Sequence, residues 1–323
     1  MRFFNREKLF SALESLLERG ATQFKFTDRT FNINIPYACQ LLQFFLDHMR
    51  PGLFLHFEMV PHLLPEDLKK LLVQFPPGTV QLEIGIQTLN PDVSLRISRA
   101  HIAESSIQNQ SQDRDLKIAL KNKEILLAKK NICWIRENTG VHIHADLIVG
   151  LPGEDMESFA RGFDTLLFWN PQEIQVGILK RLRGAPIGRH TEEWGMVYSP
   201  LPPYDVLKTS HISYEEICDL KRFARFWDLI PNSGRFIQSS SLIWQSQDSA
   251  FASFMECSGW LFEKLNSQSE IALPRLARML EDFLVTVRGL PSETVHSLIE
   301  SDLTHSSAKQ KTSTHTSRQN RRI

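Results

Sequence analysis

His142-Ile143-His144-Ala145-Asp146-Leu147-Ile148-Val149-Gly150-Leu151-Pro152-Gly153-Glu154-Asp155 is the stretch on which the reading of the fold turns. Its first half is a strand, because Ile143, Ala145, Leu147 and Val149 recur at period two. His142, His144 and Asp146 take the other face. Gly150-Leu151-Pro152-Gly153 is a turn signal. Glu154 and Asp155 then open a helix pattern, with acids in the first turn where the helix dipole favours them. Strands of parallel sheets covered on both faces are near-continuously apolar. A strand with one polar face therefore faces something other than a core on that side.

The same asymmetry recurs along the chain. Phe24 and Phe26 oppose Gln23, Lys25 and Thr27, and Leu55 and Phe57 oppose His56 and Glu58. Leu82, Ile84 and Ile86 oppose Gln81, Glu83, Gly85 and Gln87; Ile174, Val176 and Ile178 oppose Glu173, Gln175 and Gly177. Helical periodicity separates these strands at residues 5–19, 36–48, 65–74, 116–138 and 155–169, and residues 100–115 are polar, a loop or weak helix. Alternation of strand and helix predicts a parallel α/β sheet with right-handed crossovers. The apolar faces pack the helices. The polar faces are expected to converge, with Glu83, His144 and Asp146 inward, in a curved, open sheet around a ligand. Buried carboxylates such as Glu58, Glu83 and Asp146 need partners, and Lys25, His56, His142 and His144 are the candidates.

The chain has 323 residues, and Lys+Arg and Asp+Glu are 37 each. The balanced charge exerts no overall pull toward nucleic acid or membrane. No signal-peptide pattern opens the chain, and no run of about 18 uncharged apolar residues suits a spanning helix. A cytoplasmic protein with no membrane partner is expected. Cys39, Cys133, Cys218 and Cys257 lie far apart, without the close spacing of zinc or iron–sulfur ligands, and read as reduced core thiols.

Several segments in order carry a family resemblance. They are residues 25–32 (Lys25 to Asn32), His56-Phe57-Glu58, residues 81–88 (Gln81 to Thr88), residues 142–154 and residues 175–180. Pro202-Pro203-Tyr204-Asp205-Val206-Leu207, Ile212-Ser213-Tyr214 and Asn232-Ser233-Gly234-Arg235-Phe236 follow. Together they resemble the cobalamin-binding-domain radical S-adenosylmethionine (radical SAM) proteins, over about residues 1 to 265. The resemblance implies a partial (β/α)6 barrel that holds S-adenosylmethionine and a 4Fe-4S cluster. It implies reductive cleavage of S-adenosylmethionine to a 5′-deoxyadenosyl radical, or cobalamin-linked methyl transfer, on an unknown substrate.

By that resemblance the chain starts at the helix after the family's first strand. The Cys-x-x-x-Cys-x-x-Cys loop and the cobalamin-binding domain would lie ahead of Met1. The expected fold class is therefore α/β, a truncated radical SAM-type barrel with five parallel strands over residues 1–190. A mostly helical region at 191–303 and a disordered basic tail at 304–323 follow. A late gene start, a split gene and a degenerate remnant all fit, and the chain alone is expected to be inactive. No metal ligands are assigned. The resemblance places Asp28 and Arg29 near the amino group of S-adenosylmethionine, and Glu83 and Gln87 near its ribose. It lines the adenine with the strand from Asp146 to Gly150, and Lys180 closes the last strand. Small-molecule partners would be S-adenosylmethionine and the substrate, and a split gene would add an upstream polypeptide. The alternative is a non-catalytic remnant or a ligand- or partner-binding subunit. An exposed edge at Gln23 to Thr27, with Phe24 and Phe26, is expected to make the chain self-associate. Residues 198–206 read as an extended linker, and residues 213–230, 248–265 and 273–288 as packing helices.

Overall fold

The computed structural model describes residues 5–28, 30–97, 114–268 and 270–304. Most of the polar stretch 100–115 and all of the basic tail beyond residue 304 lie outside the described residues. Strands β1 (Gln23–Lys25), β2 (Phe54–Glu58), β3 (Val80–Gln87), β4 (His142–Val149) and β5 (Glu173–Ile178) form one parallel sheet in the order β1-β2-β3-β4-β5. Helices α1 (Arg6–Glu18), α2 (Ile35–Asp47), α3 (Glu66–Leu72), α4 (Pro91–Arg96), α5 (Arg114–Asn138) and α6 (Met156–Phe168) precede or join them. The strand order follows the chain with no reversal. A doubly wound sheet would reverse at a switch point. The sheet is thus the singly wound kind that the face asymmetry predicts.

The chain divides into two compact units. Residues 1–87, 112–146 and 169–172 make the first. Asn5 caps α1 by accepting from Lys8 N at 3.2 Å, and Asn34 caps α2 by accepting from Tyr37 N at 3.2 Å. Leu41, Leu42 and Phe45 share the buried face of α2. Phe24 lies 5.2 Å from Phe45, and Phe26 stacks on Phe57 at 4.7 Å. Of the two aromatics expected to make the β1 edge sticky, Phe24 is buried and Phe26 half-buried.

Two side-chain amides complete the backbone pairing here. Asn32 is fully buried beside the end of β2. Its Oδ1 accepts from Val60 N at 2.9 Å, and its Nδ2 donates to the carbonyls of Val60 at 2.8 Å and Leu63 at 2.6 Å. Gln172 does the same at the start of β4. Its Oε1 accepts from Ile143 N at 2.7 Å, and its Nε2 donates to Val141 O at 3.0 Å. Buried backbone groups need partners, and an amide carries a donor and an acceptor as a peptide does.

The second unit holds residues 88–111, 147–168 and 173–323. Helices α7 (Tyr214–Leu229), α8 (Ala250–Leu265) and α9 (Leu273–Thr286) supply most of its core, and residues 292–304 form a last helix, α10. A capping box of Ser213 and Glu216 starts α7. Phe163, Phe223, Trp227, Phe251 and Phe254 pack ring against ring, with centroids 4.7–5.8 Å apart. These aromatic helices are packing elements, as expected. Asp164 of α6 fixes the start of α8, accepting from Ser249 Oγ at 2.6 Å and Phe251 N at 2.7 Å. Asn232 brackets β5 as Gln172 brackets β4: its Oδ1 accepts from Ile174 N at 3.2 Å and its Nδ2 donates to Ile174 O at 2.9 Å.

The linker expected at residues 198–206 is instead a hairpin. Strands β6 (Val197–Tyr198) and β7 (Val206–Lys208) pair antiparallel. Ser199 N donates to Asp205 O at 2.8 Å, Tyr204 turns the chain at φ +63°, and Val206 N donates to Leu179 O at 2.8 Å. Three prolines in the loop hid the pairing, because they suppress strand propensity without preventing strands on either side. Cys257 is buried, and Cys39, Cys133 and Cys218 are half-buried, so the core-thiol expectation holds fully for Cys257 alone.

Candidate functional site

The polar face of the first unit is built by strict alternation. Leu55, Phe57, Leu82, Ile84, Ile143 and Ala145 are completely buried, while His56, Glu58, Gln81, Glu83, His144 and Asp146 between them are partly accessible. The register of β1, β2 and β3 sets rows across the sheet. Lys25 stands beside His56 and His56 beside Gln81; one step on, Glu58 stands beside Glu83. His56 Nε2 lies 3.0 Å from Glu83 Oε2, and His144 Nε2 lies 3.8 Å from Asp146 Oδ1. His56 Nδ1 is buried and has no hydrogen-bond partner among the described residues.

The expected cofactor residues separate as follows. Glu83 and Asp146 share the polar face, as expected, and Glu83 is engaged by His56. Gln87 ends β3 at φ +68°, buried at 6% exposure. Backbone held in that region costs a non-glycine residue about 1–3 kcal/mol. Asp28 is exposed and closes its own turn, accepting from Thr30 N at 3.2 Å. Arg29 lies outside the described residues.

Gly150 and Lys180 belong to the second unit. Lys180 is exposed, and its backbone bridges to Asp205, whose carboxylate takes Lys221 Nζ at 3.0 Å. Gly150 sits at φ +83°, and a Cβ there would lie 2.5 Å from Val206 Cγ1. The close approach that a glycine permits is used there by β7.

The turn after β4 contains a second polar group. Glu154 is 2% exposed. Thr88 Oγ1 donates to its Oε1 at 2.5 Å, and Ser158 Oγ lies 3.4 Å from the same oxygen. Its Oε2 is buried without a hydrogen-bond partner among the described residues. Burial pushes the carboxyl up to about 7, against the pull of the Thr88 and Ser158 hydroxyls. This corrects the sequence expectation for Glu154 as a first-turn helix acid. α6 starts at Met156: Asp155 stands just before it, accepting from Ser158 N at 2.7 Å, and Glu157 is the acid of its first turn. Next to it, Arg96 Nη1 donates to Pro152 O at 2.6 Å, and its guanidinium lies 4.2 Å from the Trp194 ring centre. Gly153, at φ +77°, leaves the space this arginine fills. No local pattern marks Thr88 or Arg96 as partners of this turn.

A family described as a protein of unknown function (DUF4080) matches residues 192–322. No curated protein matches the chain. A solved structure of the radical S-adenosylmethionine methyltransferase TsrM from Kitasatospora setae, with tryptophan substrate and the SAM analog aza-SAM, is similar at TM-score 0.50 and 16% identity. That likeness covers 80% of this chain and 56% of TsrM. Another TsrM structure, with cobalamin and a [4Fe-4S] cluster, has TM-score 0.46, 18% identity, and coverage of 65% and 37%. Coproporphyrinogen III oxidase (HemN) from Escherichia coli, a radical SAM enzyme, has 0.43, 17%, 70% and 48%. The chain therefore spans about half the length of these proteins or less. The fold is like that of the radical SAM methyltransferase TsrM, as the motif resemblance implies.

Among the described residues no group of three or more His, Cys, Asp and Glu could hold a metal ion. The four cysteines are free. The residues described do not fit an iron–sulfur cluster, and no step is assigned to one. Among the described residues no helix is long and apolar enough to cross a membrane.

Proposed function

We propose that this chain is the S-adenosylmethionine-binding part of a radical SAM protein, with the ligand lying over the polar face of β2, β3 and β4. The observation that carries the reading is the alternation itself. The face opposite the core presents Glu58, Glu83 and Asp146 against the single lysine Lys25. Such an acceptor-rich surface suits a cation bearing an ammonium group and ribose hydroxyls, which is the chemistry of S-adenosylmethionine. The bound ligand supplies a sulfonium whose carbon–sulfur bonds can be cleaved or can donate a group. The chain's own residues hold and orient it: Asp146 and Glu83 accept from the donors, and the apolar layer beneath excludes water from the other side.

Radical cleavage or cobalamin-linked methyl transfer on an unknown substrate is the activity proposed for the protein that supplies the cluster. The alternative, a ligand-binding subunit without chemistry of its own, shares the first step. Isothermal titration of the full chain with S-adenosylmethionine tests that step. Binding is expected, weakened at least tenfold by Asp146→Asn or Glu83→Gln. Absence of binding, or binding indifferent to both changes, overturns the proposal.

A further inference from the structure

We infer that His56 is the proton-accepting group of this face, and that Glu83 fixes the form of its ring that can accept. The inference rests on the reading of the polar face as a binding surface and adds a role for one residue to it. A neutral imidazole has one N–H donor and one lone-pair acceptor, and the partner of one nitrogen decides the state of the other. Here Nε2 faces Glu83 Oε2 at 3.0 Å. A carboxylate only accepts, so the proton belongs on Nε2. Nδ1 is then a lone pair. It is buried and meets no donor among the described residues.

A buried acceptor left unpaired costs about 1–3 kcal/mol. Structural histidines ordinarily satisfy both nitrogens, one often through a backbone carbonyl. At His56 one nitrogen faces a carboxylate oxygen, and the side chain lies on the accessible face of a sheet whose reverse is buried. The groups on the same face are Lys25 from β1, Glu58 from β2, Glu83 from β3 and His142, His144 and Asp146 from β4. Carboxylates outnumber the one lysine, so the face favours ligands that bring donors. The donor for Nδ1 is accordingly a hydroxyl or ammonium group of the bound molecule. Glu83 is a positioning residue in this scheme: it orients the ring and holds its tautomer.

The test uses the full chain labelled with ¹⁵N-histidine, with S-adenosylmethionine as the probe. Long-range ¹H–¹⁵N correlation reads the tautomer, and His56→Gln assigns the signal. The expected result is protonation at Nε2 near pH 8, replaced by averaged nitrogen shifts in Glu83→Gln. Saturating S-adenosylmethionine should move the Nδ1 resonance upfield as it accepts a hydrogen bond. Protonation at Nδ1, or at both nitrogens at pH 8, overturns the inference. So does an Nδ1 signal unmoved by bound ligand, as expected if only a water sits there. In that case the binding reading survives. Failure of the wild-type chain to bind S-adenosylmethionine removes that reading and this inference together.

Discussion

Replacing Glu154 by glutamine should flatten the pH dependence of stability between about pH 5 and 8. The carboxyl is raised from 4.5 to about 7 by burial. Between those values the folded protein keeps a proton that the unfolded chain has lost. Its contribution to stability is fully present below about 4.5 and is lost as pH rises through about 7. The difference between 4.5 and about 7, at about 1.4 kcal/mol per pH unit, comes to about 3 kcal/mol. Glutamine keeps an oxygen for the Thr88 hydroxyl but has no proton to lose in this range. Its amide nitrogen falls where Oε2 is buried without a partner, so a constant penalty of about 1–3 kcal/mol is expected as well. The informative quantity is therefore the change in the wild-type-minus-variant difference with pH. Urea unfolding of both proteins at constant ionic strength, from pH 5 to 8.5, measures it. The wild type should lose about 2.5 kcal/mol relative to Glu154→Gln over that range, the rest of the difference falling below pH 5. Parallel curves, or a wild type that gains on the variant as pH rises, would refute the assignment of a buried, proton-holding carboxyl.

Asn32→Ala should cost about 3 kcal/mol, because it orphans Val60 N, Val60 O and Leu63 O at once. Asn32→Asp sets a carboxylate against two carbonyls and should be no milder in thermal melting. Gly150→Ala should cost about 2–4 kcal/mol, from a left-handed backbone and a clash with Val206. Adding Val206→Ala should return the steric share in urea unfolding; full additivity of the two losses would contradict the contact. Arg96→Lys keeps the charge but loses the planar stack on Trp194 and should lower stability by about 1–2 kcal/mol. An unchanged urea midpoint would show that the stack contributes nothing.

The strands were legible because period two depends on each strand alone. His142 to Val149 alternates in burial at every position, and its sequence alternates in polarity from His142 to Leu147. The polar face was legible for the same reason, and with it Glu83 and Asp146. The acceptor state of His56 was not, since it depends on the register of β2 against β3. Glu154 looked like a helix-dipole acid because its partner Thr88 is 66 residues away. Gly150 was placed by the resemblance at the end of the adenine-lining strand, and Val206, on a hairpin hidden among prolines, packs against it. These misses share one cause: each residue's role is fixed by a segment remote in sequence that carries no local mark of the contact.

The amides of Asn32, Gln172 and Asn232 have a dynamic consequence. Val60 N, Ile143 N and Ile174 N are each held by a side chain. A ladder hydrogen bond opens only when strands part, but a side-chain bond opens when one torsion angle flips. Hydrogen exchange at these three positions should therefore follow local rotamer fluctuation, faster and less sensitive to denaturant than at ladder-bonded neighbours such as Leu55. The ends of β2, β4 and β5 would then breathe while their middles stay closed, giving the sheet a soft margin around a rigid centre.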